Sequence, residues 1–150
     1  MTESSKCGIF NLVYNHILYF LYWLINFLVL YLFSRIFPGS IVLGNYRFSS
    51  LESAIYAGFW LTFFVWVFWD FAIAKGLKFD TRLVTWGYFW LANSFAVWLV
   101  ARFSHIAGFG IVNYLWAFAI GLVVFIFQRI IWKGFFPPRK GLNEERVKVP

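Results

Sequence analysis

The amino-acid sequence predicts an all-α polytopic membrane protein with four transmembrane helices, arranged as two parallel-repeat helical hairpins. Composition is the first observation, because 62% of the residues are hydrophobic and only 13% are charged, whereas a soluble domain has about 25% charged residues. Length is the second, because 150 residues accommodate four spans of roughly 20 apolar residues joined by short connections. The third observation is a motif that occurs twice.

The repeated motif has the pattern Trp-Leu-x-Asn-x(5)-Leu-x-x-Arg. It begins at Trp23 and again at Trp90, an offset of 67 residues. Each copy carries one amide near the middle of an apolar helix and one guanidinium at its far end: Asn26 with Arg35, and Asn93 with Arg102. Because polar side chains are rare inside membrane spans, we interpret the two copies as the product of a duplication.

The chain begins with a polar stretch, residues 1–8, which is predicted to be a cytoplasmic N-terminal segment. The first span follows from about residue 9 to residue 37. Pro38-Gly39 ends it, because proline removes a backbone donor and glycine frees the backbone. No small-residue cleavage site accompanies the apolar run, so the N-terminus is interpreted as an uncleaved signal anchor.

Residues 40–50 are predicted to form a short loop, with an interfacial strand or a turn within it. The second span is predicted over residues 51–74, with Ser49 or Ser50 as its N-cap and Glu52 in its first turn. A polar connection is predicted at residues 75–82, followed by a third span at 83–105. A glycine turn at 108–110 leads into a fourth span at 111–132, and residues 134–150 are predicted to be a basic flexible cytoplasmic tail.

The four-helix transmembrane domain is predicted over residues 9–133, with repeat units at about 9–76 and 83–134. Two pairs in the second helices recur at an offset of 58: Tyr56 with Tyr114, and Lys75-Gly76 with Lys133-Gly134. The change from 67 to 58 predicts nine extra residues in the loop of the first unit, where length differences are tolerated. Because each unit has two spans, the repeat is parallel.

The distribution of basic residues predicts the orientation. Ten lie on the side of the termini and the middle connection: Lys6, Lys75, Lys78, Arg82, Arg129, Lys133, Arg139, Lys140, Arg146 and Lys148. Only Arg35, Arg47 and Arg102 lie on the other side. The positive-inside rule therefore places both termini in the cytoplasm, and the setting is predicted to be a bacterial inner membrane. The net charge of +7 is assigned to anionic lipids at the cytoplasmic face and not to nucleic acid.

Polar residues inside the spans are predicted to make interhelical contacts. Asn26 and Asn93 should face the bundle and pair directly across a pseudo-twofold axis, since an unbonded amide is costly in lipid. Asp70 corresponds to Gln128 at the offset of 58, so a salt bridge or a water-bridged contact between Asp70 and Arg129 is predicted. Anchors at the lipid interface are predicted at Arg35, Arg102, Trp69, Trp86 and Trp132.

Residue types that carry catalysis or bind metals are sparse. Cys7 is the single cysteine, which excludes an internal disulfide and a thiolate cluster. His16 and His105 are predicted near opposite membrane faces, so they do not share a metal or haem within one chain. No serine or threonine in the spans has a base at helical spacing, and no phosphate-binding glycine loop is present. The sequence predicts neither an enzyme nor a bound cofactor.

An Asn-containing helix that ends in a basic residue and a Pro-Gly turn resembles the small four-span bacterial proteins of phage holin superfamily IV. Asn26, Arg35 and Pro38-Gly39 match this pattern, and Asn93 with Arg102 match it again. His105-Ile106 replaces Pro-Gly in the second copy. The resemblance covers roughly residues 20–133 and implies a small four-span membrane protein.

Two functions from different classes are compatible with these features. The leading prediction is a non-enzymatic integral membrane protein that acts as a structural or accessory subunit, or as a homo-oligomer. The alternative is a holin-like oligomeric pore or small-solute channel. A transporter would require broken helices, which the sequence does not indicate.

Overall fold

The computed structural model describes residues 3–77 and 81–135, with side chains from Asn15 to Gly134 within those ranges. This part of the chain is mostly helical. Its elements in order are α1 (Glu3–Ile36), β1 (Ile41–Leu43), α2 (Ser50–Ala74), α3 (Arg82–Arg102), α4 (Ser104–Ala107), β2 (Phe109–Ile111) and α5 (Tyr114–Phe135).

Four of the described helices are long and apolar enough to cross a membrane, which confirms the prediction of four apolar spans. These stretches are Asn15–Ile36, Ser50–Ala74, Arg82–Arg102 and Tyr114–Gly134. They are compatible with an integral membrane protein. Because α1 begins at Glu3, residues 3–8 of the predicted N-terminal segment belong to this helix. The predicted tail lies outside the described residues from 136 onward, as do residues 78–80 of the middle connection.

The loops after α1 and α3 meet in a two-stranded antiparallel sheet that the all-α prediction lacked. Val42 pairs with Gly110 at its centre, flanked by the pairs Ile41–Ile111 and Leu43–Phe109. The predicted start of the fourth span at residue 111 is therefore wrong, since α5 begins at Tyr114. Asn113 stabilises this start, because its Oδ1 accepts a hydrogen bond from the backbone N–H of Leu115 at 3.0 Å.

The start of α2 is fixed by a capping box. The side chain of Ser49 accepts a hydrogen bond from the backbone N–H of Glu52, and the Glu52 carboxylate accepts one from the backbone N–H of Ser49 at 2.8 Å. Two otherwise orphaned donors are satisfied in this way. Of the two serines that the sequence left open, Ser49 is the N-cap.

The four long helices form a closed ring in which each contacts two neighbours. α1 packs against α2 and α5, and α3 packs against the same two helices. α1 and α3 therefore lie diagonally across the bundle, as do α2 and α5. The two-stranded sheet covers the end of the bundle where α1 and α3 finish, which we call the sheet end. The opposite end, where α1 and α3 begin, is called the cavity end.

Two glycines allow the closest helix approaches. A Cβ on Gly58 of α2 would lie 2.9 Å from the backbone nitrogen of Phe27, and one on Gly121 of α5 would lie 2.7 Å from that of Ser94. Tryptophan side chains donate hydrogen bonds across the same two helix pairs, α1 with α2 and α3 with α5. Trp23 Nε1 donates to the carbonyl of Ile55 at 3.0 Å, and Trp90 Nε1 donates to that of Phe118 at 3.2 Å.

Similar contacts occur in the two halves of the chain at regular spacings. Phe27 and Ser94 are 67 residues apart, whereas Gly58 and Gly121 are 63 apart. These contacts therefore recur at 63 in the second helices and not at the predicted 58. Tyr56 lies in the second turn of α2, while Tyr114 is the first residue of α5. The repeat itself stays a prediction.

The Gly121→Ala substitution is expected to destabilise the bundle by about 1–3 kcal/mol, because the added methyl overlaps backbone atoms of α3 and forces the two helices apart. Gly87→Ala is the matched control on α3. Its Cβ would meet nothing within 4 Å, so this change should be neutral or stabilise by up to about 1 kcal/mol through helix propensity. Unfolding of the purified variants in mild detergent measures both effects. Equal stability of the two variants would contradict the close approach.

Candidate functional site

Four polar side chains from four different helices meet inside the bundle. Asn26, Thr62 and Asn93 have no exposed surface, and Gln128 is 5% exposed. Polar groups buried this deeply in an apolar bundle need partners, because each unpaired group costs roughly 1–3 kcal/mol. We call these four residues the polar network.

Gln128 of α5 is the centre of the polar network. Its Oε1 accepts a hydrogen bond from Asn93 Nδ2 at 3.1 Å, and its Nε2 donates to Asn26 Oδ1 at 3.4 Å. Asn26 Nδ2 in turn donates to Thr62 Oγ1 at 2.8 Å, and the Thr62 hydroxyl donates to the backbone carbonyl of Gly58 at 2.8 Å. Gln128 therefore connects the network to both asparagines.

Asn26 and Asn93 both lie in the bundle interior, but the described residues contain no direct hydrogen bond between them. The geometry of the ring explains this difference from the predicted pair. The two asparagines are on α1 and α3, which lie diagonally, whereas α5 neighbours both helices. The long Gln128 side chain bridges the gap that the shorter amides leave.

A cavity of about 230 Å³ lies beside the polar network, toward the cavity end. It is surrounded by the first turns of the α1 and α3 spans and by the last turns of α2 and α5. Most of its wall is aromatic. Its lining residues are Leu18, Tyr22, Val65, Trp66, Trp69, Thr85, Phe89, Phe125, Gln128, Arg129 and Trp132.

Arg129 is the one charged residue in the described lining of this cavity. Its guanidinium carbon lies 4.4 Å from the centre of the Trp86 ring, a cation–π contact. Its Nε is buried and has no hydrogen-bond partner in the described part of the chain. The indole N–H of Trp66 is also buried without a partner among these residues.

The predicted salt bridge between Asp70 and Arg129 is absent from the described structure. Asp70 is exposed, while Ala72, two residues later, is fully buried. At 3.6 residues per turn, two positions differ by about 200° around the helix, so Asp70 is directed away from the interior. The prediction was derived from the offset of 58; at the spacing of 63 between the two glycine contacts, the residue in the place of Arg129 is Trp66.

The three tryptophans predicted as interface anchors lie around this cavity. Trp69 and Trp132 line it, and Trp86 stacks on the guanidinium of Arg129. Arg35 is exposed toward the sheet end, where its guanidinium donates to the Tyr31 hydroxyl at 2.9 Å. Arg102 is also exposed at that end. Whether these residues contact lipid stays a prediction.

Sequence reasoning did not find Gln128 and Thr62 as parts of the site. Both were visible as rare polar residues in apolar spans. Thr62 follows Asn26 by 36 residues, and Gln128 follows Asn93 by 35. The sequence did not show which side of each helix these residues occupy, because the alignment at the offset of 58 paired Gln128 with Asp70. Among residues 3–77 and 81–135, no group of three or more His, Cys, Asp or Glu residues is placed to hold a metal ion.

Comparisons with known proteins add no relative. No protein-family model matches the chain, and neither curated proteins nor solved structures give a match. The candidate site is therefore interpreted from its own chemistry.

The Gln128→Leu substitution is expected to lower stability by about 1–3 kcal/mol, because it removes two interhelical hydrogen bonds worth roughly 0.6–2 kcal/mol each. It should also uncouple the asparagines. In the parent protein, Asn26→Ala and Asn93→Ala should be non-additive, with an interaction of at least about 0.5 kcal/mol. In the Gln128→Leu background the same pair should be additive.

Unfolding in mild detergent measures this double-mutant cycle. The parent cycle serves as the internal control, since both cycles use the same two substitutions. Coupling that persists without Gln128 would indicate a direct contact between the asparagines and contradict the bridge.

Proposed function

We propose that this chain is a non-enzymatic integral membrane protein that serves as a structural or accessory subunit of a membrane assembly. The single observation that carries the proposal is the closed interior of the sheet half of the bundle. Between the polar network and the sheet, the core is mostly apolar, and the buried polar side chains described there are the small serines Ser53 and Ser94. Its fully buried side chains include Leu30, Ile41, Leu61, Val97, Phe109, Ile120 and Val124.

Among residues 3–77 and 81–135, the buried side chains of the sheet half do not form a continuous polar path to the polar network. The side chains of the polar network bond to one another across helices, and these bonds act as interhelical ties. Their bonds to backbone carbonyls stay within one helix, and Asn93 Oδ1 has no hydrogen-bond partner in the described part of the chain. Conduction would need a polar or water-filled lining that runs through the bundle. The geometry therefore favours a subunit role over a channel within one chain.

The outer surface supports a function inside the membrane. Large apolar side chains are exposed around the bundle, including Phe59 and Phe63 on α2 and Phe95 and Trp98 on α3. In water such surface would cause association, whereas in a bilayer it contacts lipid or another membrane protein. A partner subunit and a second copy of this chain are both membrane proteins of the kind that would cover this apolar surface.

We also propose that the two halves are duplicated hairpins related by a pseudo-twofold axis. Hydrogen bonds that flank the sheet support this, because Gly44 N donates to Gly108 O at 2.8 Å and Val112 N donates to Ser40 O at 3.0 Å. In these two bonds the donor Gly44 corresponds to the donor Val112, and the acceptor Ser40 corresponds to the acceptor Gly108; each corresponding pair is 68 positions apart. The Gly–backbone and Trp–carbonyl contacts recur in the same way. An axis through the centre of the sheet and along the bundle would relate all of them.

The alternative, a holin-like pore, requires several chains to surround the path. The cavity is the observation that favours it, because it is lined by Arg129 and by the buried amide of Gln128. A polar route through the other half would have to form between copies. The resemblance to phage holin superfamily IV points to the same alternative.

Vesicles that contain the full-length protein should stay sealed. Release of an entrapped fluorescent dye and flux of small ions are expected to match protein-free vesicles at every protein-to-lipid ratio, because one chain has no open path. Flux that rises with that ratio would contradict the subunit role. Loss of this flux in Asn26→Ala but not in Leu91→Ala, a change at an exposed position of α3, would establish the pore.

Orientation is testable with single cysteines in a Cys7→Ser background. Tyr46, 81% exposed in the loop between β1 and α2, should react as Tyr46→Cys with a membrane-impermeant maleimide on intact cells. Lys75→Cys, at the end of α2, should react only after the membrane is permeabilised. The basic residues on the side of Lys75 are the reason for this expectation. The reverse labelling pattern would overturn the cytoplasmic placement of the termini.

A further inference from the structure

The cavity has an uneven distribution of charge and hydrogen-bonding groups. Its wall is largely aromatic, and Arg129 supplies a permanent positive charge. No acidic residue is present in its described lining. The nearest acid along the end of α2 is Asp70, which is exposed on another face. Glu52 lies at the sheet end and is bonded to Ser49. The described residues therefore leave the charge of Arg129 without a counter-ion.

Burial makes this uncompensated charge costly. Half-buried charges in a membrane protein are usually paired, or they mark a ligand site. Stacking on Trp86 holds one face of the Arg129 guanidinium and leaves its planar edge to bind an oxyanion. Trp66 contributes a second buried donor without a partner in the described structure. Unused donors without acceptors indicate an anionic ligand.

The aromatic part of the cavity wall favours an apolar group in the uncharged part of the ligand. Tyr22, Trp69, Phe89, Phe125 and Trp132 present apolar ring surface to the cavity. Its volume of about 230 Å³ equals that of about eight liquid waters at roughly 30 Å³ each. This space accommodates a short alkyl segment or one ring, and a single anionic group beside Arg129.

We propose that the cavity is a binding site for an amphipathic anion, with its oxyanion on Arg129 and its apolar part among the aromatic rings. Two sources supply this chemistry: a phospholipid of the surrounding leaflet, which would insert part of one chain, and a free amphiphile such as an alkyl phosphate. The site is independent of the proposed subunit role, because it needs only one folded chain.

Decyl phosphate and decanol are the probes, titrated against the full-length protein in nanodiscs of phosphatidylcholine. Calorimetry gives the affinity, and empty nanodiscs correct for partitioning. Decyl phosphate should bind at least tenfold more tightly than decanol. Arg129→Gln should weaken its binding at least tenfold, and Arg129→Lys should give an intermediate affinity, because it keeps the charge but loses the planar edge that stacks on Trp86. Arg102→Gln, at an exposed arginine of the sheet end, is the matched control and should change the affinity less than twofold.

Thr85→Phe tests the cavity independently of the charge. Thr85 lines the cavity at the beginning of α3, so a larger side chain there should fill the space and abolish binding of decyl phosphate. Circular dichroism and size-exclusion profiles like those of the parent show that each variant is folded. Equal binding by Arg129→Gln and the parent, equal loss in Arg102→Gln, or unchanged binding by Thr85→Phe would each overturn the proposal.

The lipid composition of the nanodisc distinguishes the two sources. If a membrane phospholipid occupies the cavity, replacing a third of the phosphatidylcholine with phosphatidylglycerol should weaken decyl phosphate binding severalfold in the parent, after correction for surface charge with empty nanodiscs of the same lipid mixture. If the natural ligand is a free amphiphile, the corrected affinity should stay the same. Both results support the anion site and assign its source.

Discussion

An amide without a hydrogen-bond partner is so costly in a membrane interior that the positions of the buried amides constrain the whole bundle. Gln128 meets this constraint by bonding to Asn26 and Asn93 on two diagonal helices. A helix rotation that preserves apolar packing but turns one amide outward would break these bonds. The polar network therefore selects one rotation for α1, α3 and α5, while apolar contacts alone would tolerate several.

Close backbone contact supplies the other part of this specificity. Gly58 and Gly121 let α2 and α5 approach the backbones of their neighbours, and neither site accepts a Cβ without displacement. Because lipid tails compete equally for apolar side chains, helix association in a membrane depends on such close packing and on interhelical hydrogen bonds. The sheet joins the loops at the far end, so that packing, polar bonding and loop pairing all position the same four helices.

The sequence predicted the features that depend on long apolar runs and local chemistry. The four spans and an α2 cap at Ser49 or Ser50 belong to this group, and the structure has Ser49. The sequence allowed a strand or turn in residues 40–50 but did not predict its pairing with residues 109–111, because three-residue strands carry little pattern of their own. The offset of 58 is a weaker prediction: in a chain with 25% aromatic residues, the match of Tyr56 to Tyr114 is a weak alignment signal. The predicted partner of Asp70 depended on that alignment, which also paired Gln128 with Asp70 and not with the asparagines.

Under the proposed duplication, the two halves contribute different chemistry to the cavity. The pairs Ala54–Ala117, Gly58–Gly121 and Leu61–Val124 are small or apolar in both halves, although Glu52 corresponds to Leu115 and Ser53 to Trp116 near the sheet. At the cavity, Val65 corresponds to Gln128 and Trp66 to Arg129. The second half therefore supplies the amide and the guanidinium of the described lining, while the first half supplies an apolar and an indole side chain at the corresponding places. A duplicated pair of hairpins can gain an anion site in this way and keep the glycine contacts that hold each hairpin together.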